Sequence, residues 1–218
     1  MDIGTAVPEL LTSHPHVRNV RLIGSRAEGR LHELSDWDFA VETADFDAVA
    51  ESLPELVQPL QPLAEQWDPY ASHACYMLIL SGPTKVDFIF PDQPRGWSAA
   101  WQVSPETLAA IDRHFWDWLL WLEQKRRGGD ARIVGKSLAD MHELMLRPMG
   151  IGRRPASISA AITAYLDARS ALEREFAVTV SRRLEQEVRP AVARSTSSEV
   201  PAVRAKMRWS SQTPLMHR

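Results

Sequence analysis

The chain has 218 residues, 44% of them hydrophobic and 24% charged, which is enough for one large domain or two small ones with a proper core. Its formal net charge of -3 is too small to indicate nucleic-acid binding through bulk electrostatics, but it is compatible with a local basic site for a triphosphate. The single cysteine, Cys75, excludes an internal disulfide, and its apolar neighbours predict a buried strand residue.

The first residues and the apolar runs indicate where the protein resides. The start, MDIGTAVPELL, has no basic segment followed by a long apolar stretch, so a secretory signal is not expected. The apolar runs fall well short of the roughly 20 residues that a membrane-spanning helix needs. We therefore expect a cytoplasmic protein with no membrane partner.

The N-terminal half mixes predicted strands and helices. In chain order, the patterns predict a helix over 5–13, a strand over 17–23, a short helix beginning near 26, a strand over 36–41, a helix over 45–60, and strands over 74–80 and 85–90. The turn Ser81-Gly82-Pro83-Thr84 joins the last two and makes them the clearest hairpin candidate.

The C-terminal half is predicted to be helical. The patterns predict helices over 105–127, 131–147 and 155–189, the last of them ended by Pro190. We therefore expect two units, 1–100 and 101–190, followed by a tail over 191–218 that is either flexible or packed as a short arm. A cleft between two such units is a common place for a ligand.

Gly24 and Ser25 follow a predicted strand and precede a predicted helix. Glycine allows the backbone to approach a ligand closely, and the first N–H groups of a helix suit a phosphate. The pair alone is a weak signal, because turns of this composition are frequent.

Asp36 and Asp38 are two residues apart, so on a strand both carboxylates project from the same face. Adjacent negative charges repel each other, and a divalent cation such as Mg²⁺ would remove that cost. The alternative is that Asp36 caps a turn and Asp38 faces solvent, and for this pair in isolation the alternative is favoured.

Asp87 changes that balance. In the segment 85–90, Val86, Phe88 and Phe90 occupy one face, whereas Asp87 shares the other face with Ile89. A carboxylate on a partly buried face needs a partner, which is either a metal shared with Asp36 and Asp38 or a buried salt bridge, for example to an arginine.

These residues resemble the DNA polymerase β-like nucleotidyltransferase superfamily. The likeness rests on Gly-Ser, a ten-residue spacer, Asp-x-Asp and a carboxylate on a later strand. The residues of Gly24–Gly29 and Ser35–Val41 are also similar to the sequences around these motifs in the family. It covers residues 15–92. The segment around Phe115-Trp116 and Lys125–Asp130 is similar, more weakly, to aminoglycoside and lincosamide nucleotidyltransferases.

The resemblance implies an α+β fold, with a mixed β-sheet and flanking helices followed by a helical bundle. It implies that Gly24 and Ser25 bind the triphosphate, with help from Arg26, and that Asp36 and Asp38 bind one or two Mg²⁺ ions. Asp87 would be a third metal ligand, the general base, or both. Lys125 or Lys136 would contact the triphosphate, with Lys125 preferred.

The implied reaction moves a nucleoside monophosphate, preferentially AMP from ATP, to an acceptor hydroxyl. A small molecule such as an aminoglycoside-type antibiotic is the first candidate, which would make the protein an antibiotic-resistance enzyme. It predicts an acidic cleft, with candidate side chains on Glu28, Glu33, Asp112, Asp117, Glu123 and Asp130. Trp97 and Trp101 are candidates for stacking on a base or sugar.

Two alternatives remain open. One is a transferase of the toxin–antitoxin type that modifies a protein or a tRNA, which the tail residues Arg204, Lys206 and Arg208 favour weakly. The other is a nucleotide-binding relative without catalysis, which the retention of three carboxylates argues against.

Overall fold

The structure, a computed structural model, describes residues 2–29, 34–96 and 98–193. Glu33, Trp97 and the tail residues Arg204, Lys206 and Arg208 lie outside the described residues.

The described residues of the N-terminal half form five strands and three α-helices. They are α1 (Ile3–Thr12), β1 (Val17–Ile23), α2 (Gly24–Ala27), β2 (Trp37–Thr43), α3 (Phe46–Leu56), β3 (Ala64–Trp67), β4 (His73–Leu80) and β5 (Thr84–Pro94), with a 3-10 turn at Gln58–Leu60 after α3. The predicted hairpin is confirmed, since Leu80 pairs with Thr84 and Ile79 with Lys85. Strand β3 was not predicted.

The five strands form one mixed sheet in the order β1-β2-β5-β4-β3. Strands β2 and β5 run parallel, whereas the other three neighbouring pairs are antiparallel. The parallel pair joins β2 to a strand that begins 41 residues after β2 ends. Two strands distant in sequence thereby lie side by side at the centre of the sheet.

The sheet separates two hydrophobic clusters. On one face, Phe39 and Phe88 pack with Val7 of α1 and Leu53 of α3. On the opposite face, Ile79 joins the cluster of the helical half. The predicted alternation in β5 is confirmed, because Val86, Phe88 and Phe90 belong to the first cluster and Asp87 points to the other side. Cys75 is buried in β4, as predicted.

The C-terminal half is helical, and the predicted α+β class is confirmed. Its elements are α4 (Leu108–Arg127), α5 (Ala131–Met141), a π-helical turn (His142–Leu146), α6 (Ile158–Phe176) and α7 (Arg183–Ala193). The division into units at residue 100 stays a prediction. Across the described ranges, no helix combines the length and the apolarity that crossing a membrane requires.

The prediction of a single helix over 155–189 is wrong. Ala177 adopts a left-handed conformation, with φ of 53°, that ends α6. The Glu173 carboxylate then accepts a hydrogen bond from the Val180 amide at 2.7 Å, which stabilises the connection between α6 and α7. Pro190 was expected to end the helix, but it lies inside α7.

Candidate active site

Three aspartates meet at the centre of the sheet. Asp38 on β2 lies opposite Asp87 on β5 in the parallel register, and Asp36 immediately precedes β2. Each of the three offers a carboxylate oxygen within 4.8 Å of those of the other two. The structure therefore brings together the three carboxylates that the sequence singled out, and we call them the aspartate triad.

Gly24 closes one side of this triad. It follows Ile23, which pairs with Asp38 across β1 and β2, and its φ of +69° lies in the left-handed region. A Cβ atom at this position would stand 2.4 Å from Oδ2 of Asp38, a distance that real Cβ atoms do not adopt. Glycine is therefore required here both for its backbone conformation and for the approach of the carboxylate. Ser25 follows as the second residue of α2, a single turn that begins at Gly24.

Burial dominates the electrostatics of the triad. Asp36 is 5% exposed, and burial raises its pKa to about 7, with Lys85 opposing the rise and Asp38 adding to it. Burial also raises the pKa of Asp38, against the fields of Lys85, Lys125 and Arg26. The fold therefore holds carboxylates where ionisation is costly unless a cation is close.

The triad fits a hard divalent cation. Oδ1 of Asp36 is buried and has no hydrogen-bond partner, which leaves a carboxylate oxygen in need of one. Three carboxylates supply the oxygen ligands that Mg²⁺ prefers, and Mg²⁺ completes its shell with water and phosphate oxygens. Asp36, Asp38 and Asp87 are the residues that would hold it.

Lys85 is a residue of this site that the sequence reasoning did not select. Its side chain is 6% exposed, and its ammonium lies 2.7 Å from Oδ1 of Asp87 and 2.7 Å from Oδ1 of Asp117 on α4. Although burial opposes its charge, Asp117 and Asp87 raise the pKa of Lys85 well above the usual value. Asp87 therefore has the buried salt bridge considered from the sequence, with a lysine as its partner, while it also belongs to the triad.

The predicted role of Arg26 in binding the triphosphate stays a prediction. Its contacts show that it also has a structural role. Its Nε donates to the backbone carbonyls of Ser35 and Asp36 at 3.0 Å each, and Nη2 donates to Ser35 at 2.6 Å. The guanidinium also lies 4.2 Å from the centroid of the Trp37 ring. Arg26 thus fixes the backbone from which Asp36 and β2 begin.

The two candidate lysines of the helical half differ in their contacts. Lys125, near the end of α4, lies over the Trp121 ring at 5.2 Å, and its charge acts on both Asp36 and Asp38. Lys136 on α5 is largely exposed and pairs with Asp140 at 2.6 Å. The fields acting on the triad therefore favour Lys125.

A cavity of about 680 Å³ opens beside Asp87. The face of β4 and β5 that carries Asp87 forms one wall, and α4 and α5 form the other. Its described lining includes four aspartates, two of them Asp87 and Asp117, against three lysine or arginine side chains, so the negative excess is a single charge. The size suits a small organic molecule.

Aromatic side chains from α4 and from the loop between β3 and β4 line part of the cavity. Tyr70, His114 and Trp118 contact one another edge-to-face or tilted, with ring centroids 5.4–5.9 Å apart. The Trp118 Nε1 donates to Oγ of Ser137 on α5 at 2.7 Å, which fixes the orientation of its ring. Burial lowers the pKa of His114 and so favours its neutral form, against the fields of Asp68 and Asp117.

The acidic side chains proposed for a cleft do not share one location. Asp117 lines the cavity, but Asp112 lies inside the helical core, where it accepts hydrogen bonds from Tyr165 and Arg169. Glu123 is also buried and pairs with arginines of its own helix. Five residues along a helix are a rotation of about 140°, so Asp112 and Asp117 cannot face the same side.

No protein-family model matches the chain, and the comparison with curated proteins gives no match either. Among solved structures, the chain is similar to an aminoglycoside 6-adenyltransferase from Bacillus subtilis, with a TM-score of 0.37 and 9% identity over 87% of this chain and 95% of that one. It is also similar to the polymerase core of TRAMP, a RNA surveillance complex, with a TM-score of 0.33 and 13% identity over 54% of this chain and 36% of the other.

Proposed function

We propose that the protein is a Mg²⁺-dependent nucleotidyltransferase that moves AMP from ATP to a hydroxyl group of a small-molecule acceptor. The observation that carries this proposal is the aspartate triad, in which Asp38 and Asp87 face each other across parallel strands and Asp36 completes a cluster within 4.8 Å. Such a cluster is costly to bury without a cation, and phosphoryl transfer depends mainly on positioning and charge neutralisation.

Each part of the site has a role in this reaction. A metal ion held by the triad would neutralise charge on the phosphates of the nucleotide. Gly24 and Ser25 hold the triphosphate beside Asp38, and Lys125 pairs with its charge from the helical half. The acceptor oxygen attacks the α-phosphorus, the bond to the β-phosphate oxygen breaks, and pyrophosphate leaves.

Asp87 is the aspartate that connects the triad to the cavity. It belongs to the metal-binding cluster, and it also lines the cavity in which the acceptor would bind. We propose that Asp87 accepts the proton of the acceptor hydroxyl and also binds the metal ion. A carboxylate in contact with the attacking oxygen is suited to both tasks.

The cavity supports a small-molecule acceptor. Its volume suits a drug-sized compound, Trp118 and Tyr70 offer flat faces for a ring, and the negative excess favours a cationic group. An aminoglycoside-type antibiotic meets these requirements and is the first acceptor class to assay.

The proposal is tested by titrating ATP, GTP, CTP and UTP into the protein by calorimetry, with and without Mg²⁺. We expect Mg²⁺-dependent binding, with ATP preferred, that is lost in the double variant Asp36→Asn/Asp38→Asn. Transfer from α-labelled ATP to a panel of amino-hydroxyl compounds, with pyrophosphate release, then measures the reaction itself.

A matched control is the double variant Asp47→Asn/Asp92→Asn, which changes the net charge equally at two exposed positions. It should bind ATP as the unmodified protein does. If a folded sample binds none of the four nucleotides, or if the control loses binding as fully as the triad variant, the proposal is wrong.

A further inference from the structure

A buried ammonium connects the triad to the helical half. Lys85 Nζ lies at the same distance, 2.7 Å, from a carboxylate oxygen of Asp87 on the sheet and from one of Asp117 on α4. All three side chains are buried, and the two aspartates share the single positive charge of Lys85. Such an arrangement is costly to desolvate, so it restricts where each of its members can move.

Asp87 and Lys85 are on the same face of β5, two residues apart, and Met77 on β4 pairs with Asp87. The sheet alone leaves rotation about the side-chain bonds of Asp87 open. The Lys85 ammonium restricts this rotation because it binds Oδ1 of Asp87. The ammonium is itself held in place by Asp117 on α4. The orientation of Asp87 therefore depends on the docking of α4 against the sheet.

We propose that Lys85, anchored by Asp117, is a positioning residue that orients Asp87 in the triad and acts as its internal counter-ion. This inference rests on the proposed function for its effect on turnover. Its effect on cation binding is independent of that function, because it concerns the charge of the cluster alone.

Lys85 competes with an external cation for the charge of Asp87. The ammonium repels a divalent ion bound to the same carboxylates, so removing it strengthens the attraction of the triad for such an ion. The same change frees Asp87 to rotate out of the orientation that the reaction needs.

The test compares the full chain with Lys85→Met, which keeps most of the side-chain length and removes the charge. Mn²⁺ alone is the probe, titrated by calorimetry without nucleotide. We expect the Kd for Mn²⁺ to fall about tenfold. In the transfer reaction, kcat should fall on the order of a hundredfold, with the KM for ATP within about threefold of the unmodified value.

The helical half provides a matched control. Arg169, 3% exposed on its side chain, also connects two carboxylates, those of Asp112 and Glu185, but it belongs to the core of the helices. Arg169→Met should lower the melting temperature without changing the Kd for Mn²⁺. A purely structural role for Lys85 would make both variants behave in this way.

A second variant is available in case Lys85→Met does not fold. Lys85→Met/Asp117→Asn removes one positive and one negative charge together, and Asp87 again loses its counter-ion. We expect tighter Mn²⁺ binding and a lowered kcat here as well, and partial recovery of kcat in Lys85→Arg. An unchanged or weaker Mn²⁺ affinity in the folded variants overturns the proposal. Tighter Mn²⁺ binding without any nucleotide binding would instead uphold it and reject the proposed function.

Discussion

Gly24 and Asp38 approach so closely that no side chain fits between them. A Cβ at Gly24 would lie 2.4 Å from Oδ2 of Asp38, and Gly24 also has a φ of +69°. The backbone that follows β1 thus lies directly against a carboxylate of β2. Changes at Gly24 should therefore be transmitted to the triad without touching any ionisable group.

Gly24→Ala is expected to displace Asp38 and to weaken Mn²⁺ binding by about tenfold or more, in addition to a backbone cost of about 1–2 kcal/mol in stability. Gly29→Ala is the control, because Gly29 has nearly the same φ, +70°, and nothing within 4 Å of its Cβ position. Calorimetric Mn²⁺ titration and urea denaturation separate the two effects. Equal losses of Mn²⁺ affinity in both variants would contradict the proposed contact.

Asp36 should make the stability of the cation-free protein depend on pH. Its pKa is about 7 in the folded state, above its ordinary value of 3.8, so the folded state holds the proton more tightly than the unfolded state does. The contribution of Asp36 to stability is therefore full below pH 3.8 and is lost as the pH rises to about 7. Urea denaturation in a chelator, compared with Asp36→Asn, measures it. The variant should show a flatter profile over this range, and an identical slope would count against the raised pKa.

Lys125→Met should raise the KM for ATP on the order of tenfold, because Lys125 is the lysine of the helical half whose field acts on Asp36 and Asp38. Lys136→Met makes the same substitution on α5, where the side chain pairs with Asp140. We expect this second variant to leave the KM for ATP within about twofold. The reverse order of effects would assign the triphosphate to Lys136.

Trp118→Leu should raise the KM for the acceptor about tenfold and leave the KM for ATP nearly unchanged, because its ring lines the cavity and not the triad. Ser137→Ala removes the hydrogen bond that holds the ring and should have a smaller effect in the same direction. Steady-state kinetics with each substrate varied in turn measures both. A change confined to the KM for ATP would place the nucleotide in this cavity instead.

The sequence is informative about the triad because its signals are local. The alternation along β5 assigns Asp87 to one face, and the Asp-x-Asp spacing indicates that Asp36 and Asp38 point to a common side. The period of two did not decide between a metal site and its alternatives, and the expectation that the three carboxylates meet came from the family resemblance. The same alternation also places Lys85 beside Asp87. Its second partner, Asp117, is 32 residues away on a helix, and no spacing rule indicates how that helix docks.

The errors have the same physical origin. The break between α6 and α7 depends on a carboxylate, that of Glu173, which accepts from an amide seven residues later, and helical periodicity carries no signal of such a contact. Asp112 was a candidate for the cleft on the basis of its charge, although its helix turns it toward Tyr165 and Arg169 in the core. Strand β3 has four residues, too few to show a period.

The parallel pairing of β2 with β5 has a consequence for how the protein acquires its site. On one side of this seam lies the antiparallel pair of β1 and β2, and on the other the meander of β3, β4 and β5. Asp36 and Asp38 belong to the first sub-assembly and Asp87 to the second. Neither sub-assembly presents the full ligand set by itself, so strong cation binding arises when the two have joined. A bound ion would then link the two groups of strands. The affinity of the protein for the ion would therefore depend on how completely β2 and β5 have paired.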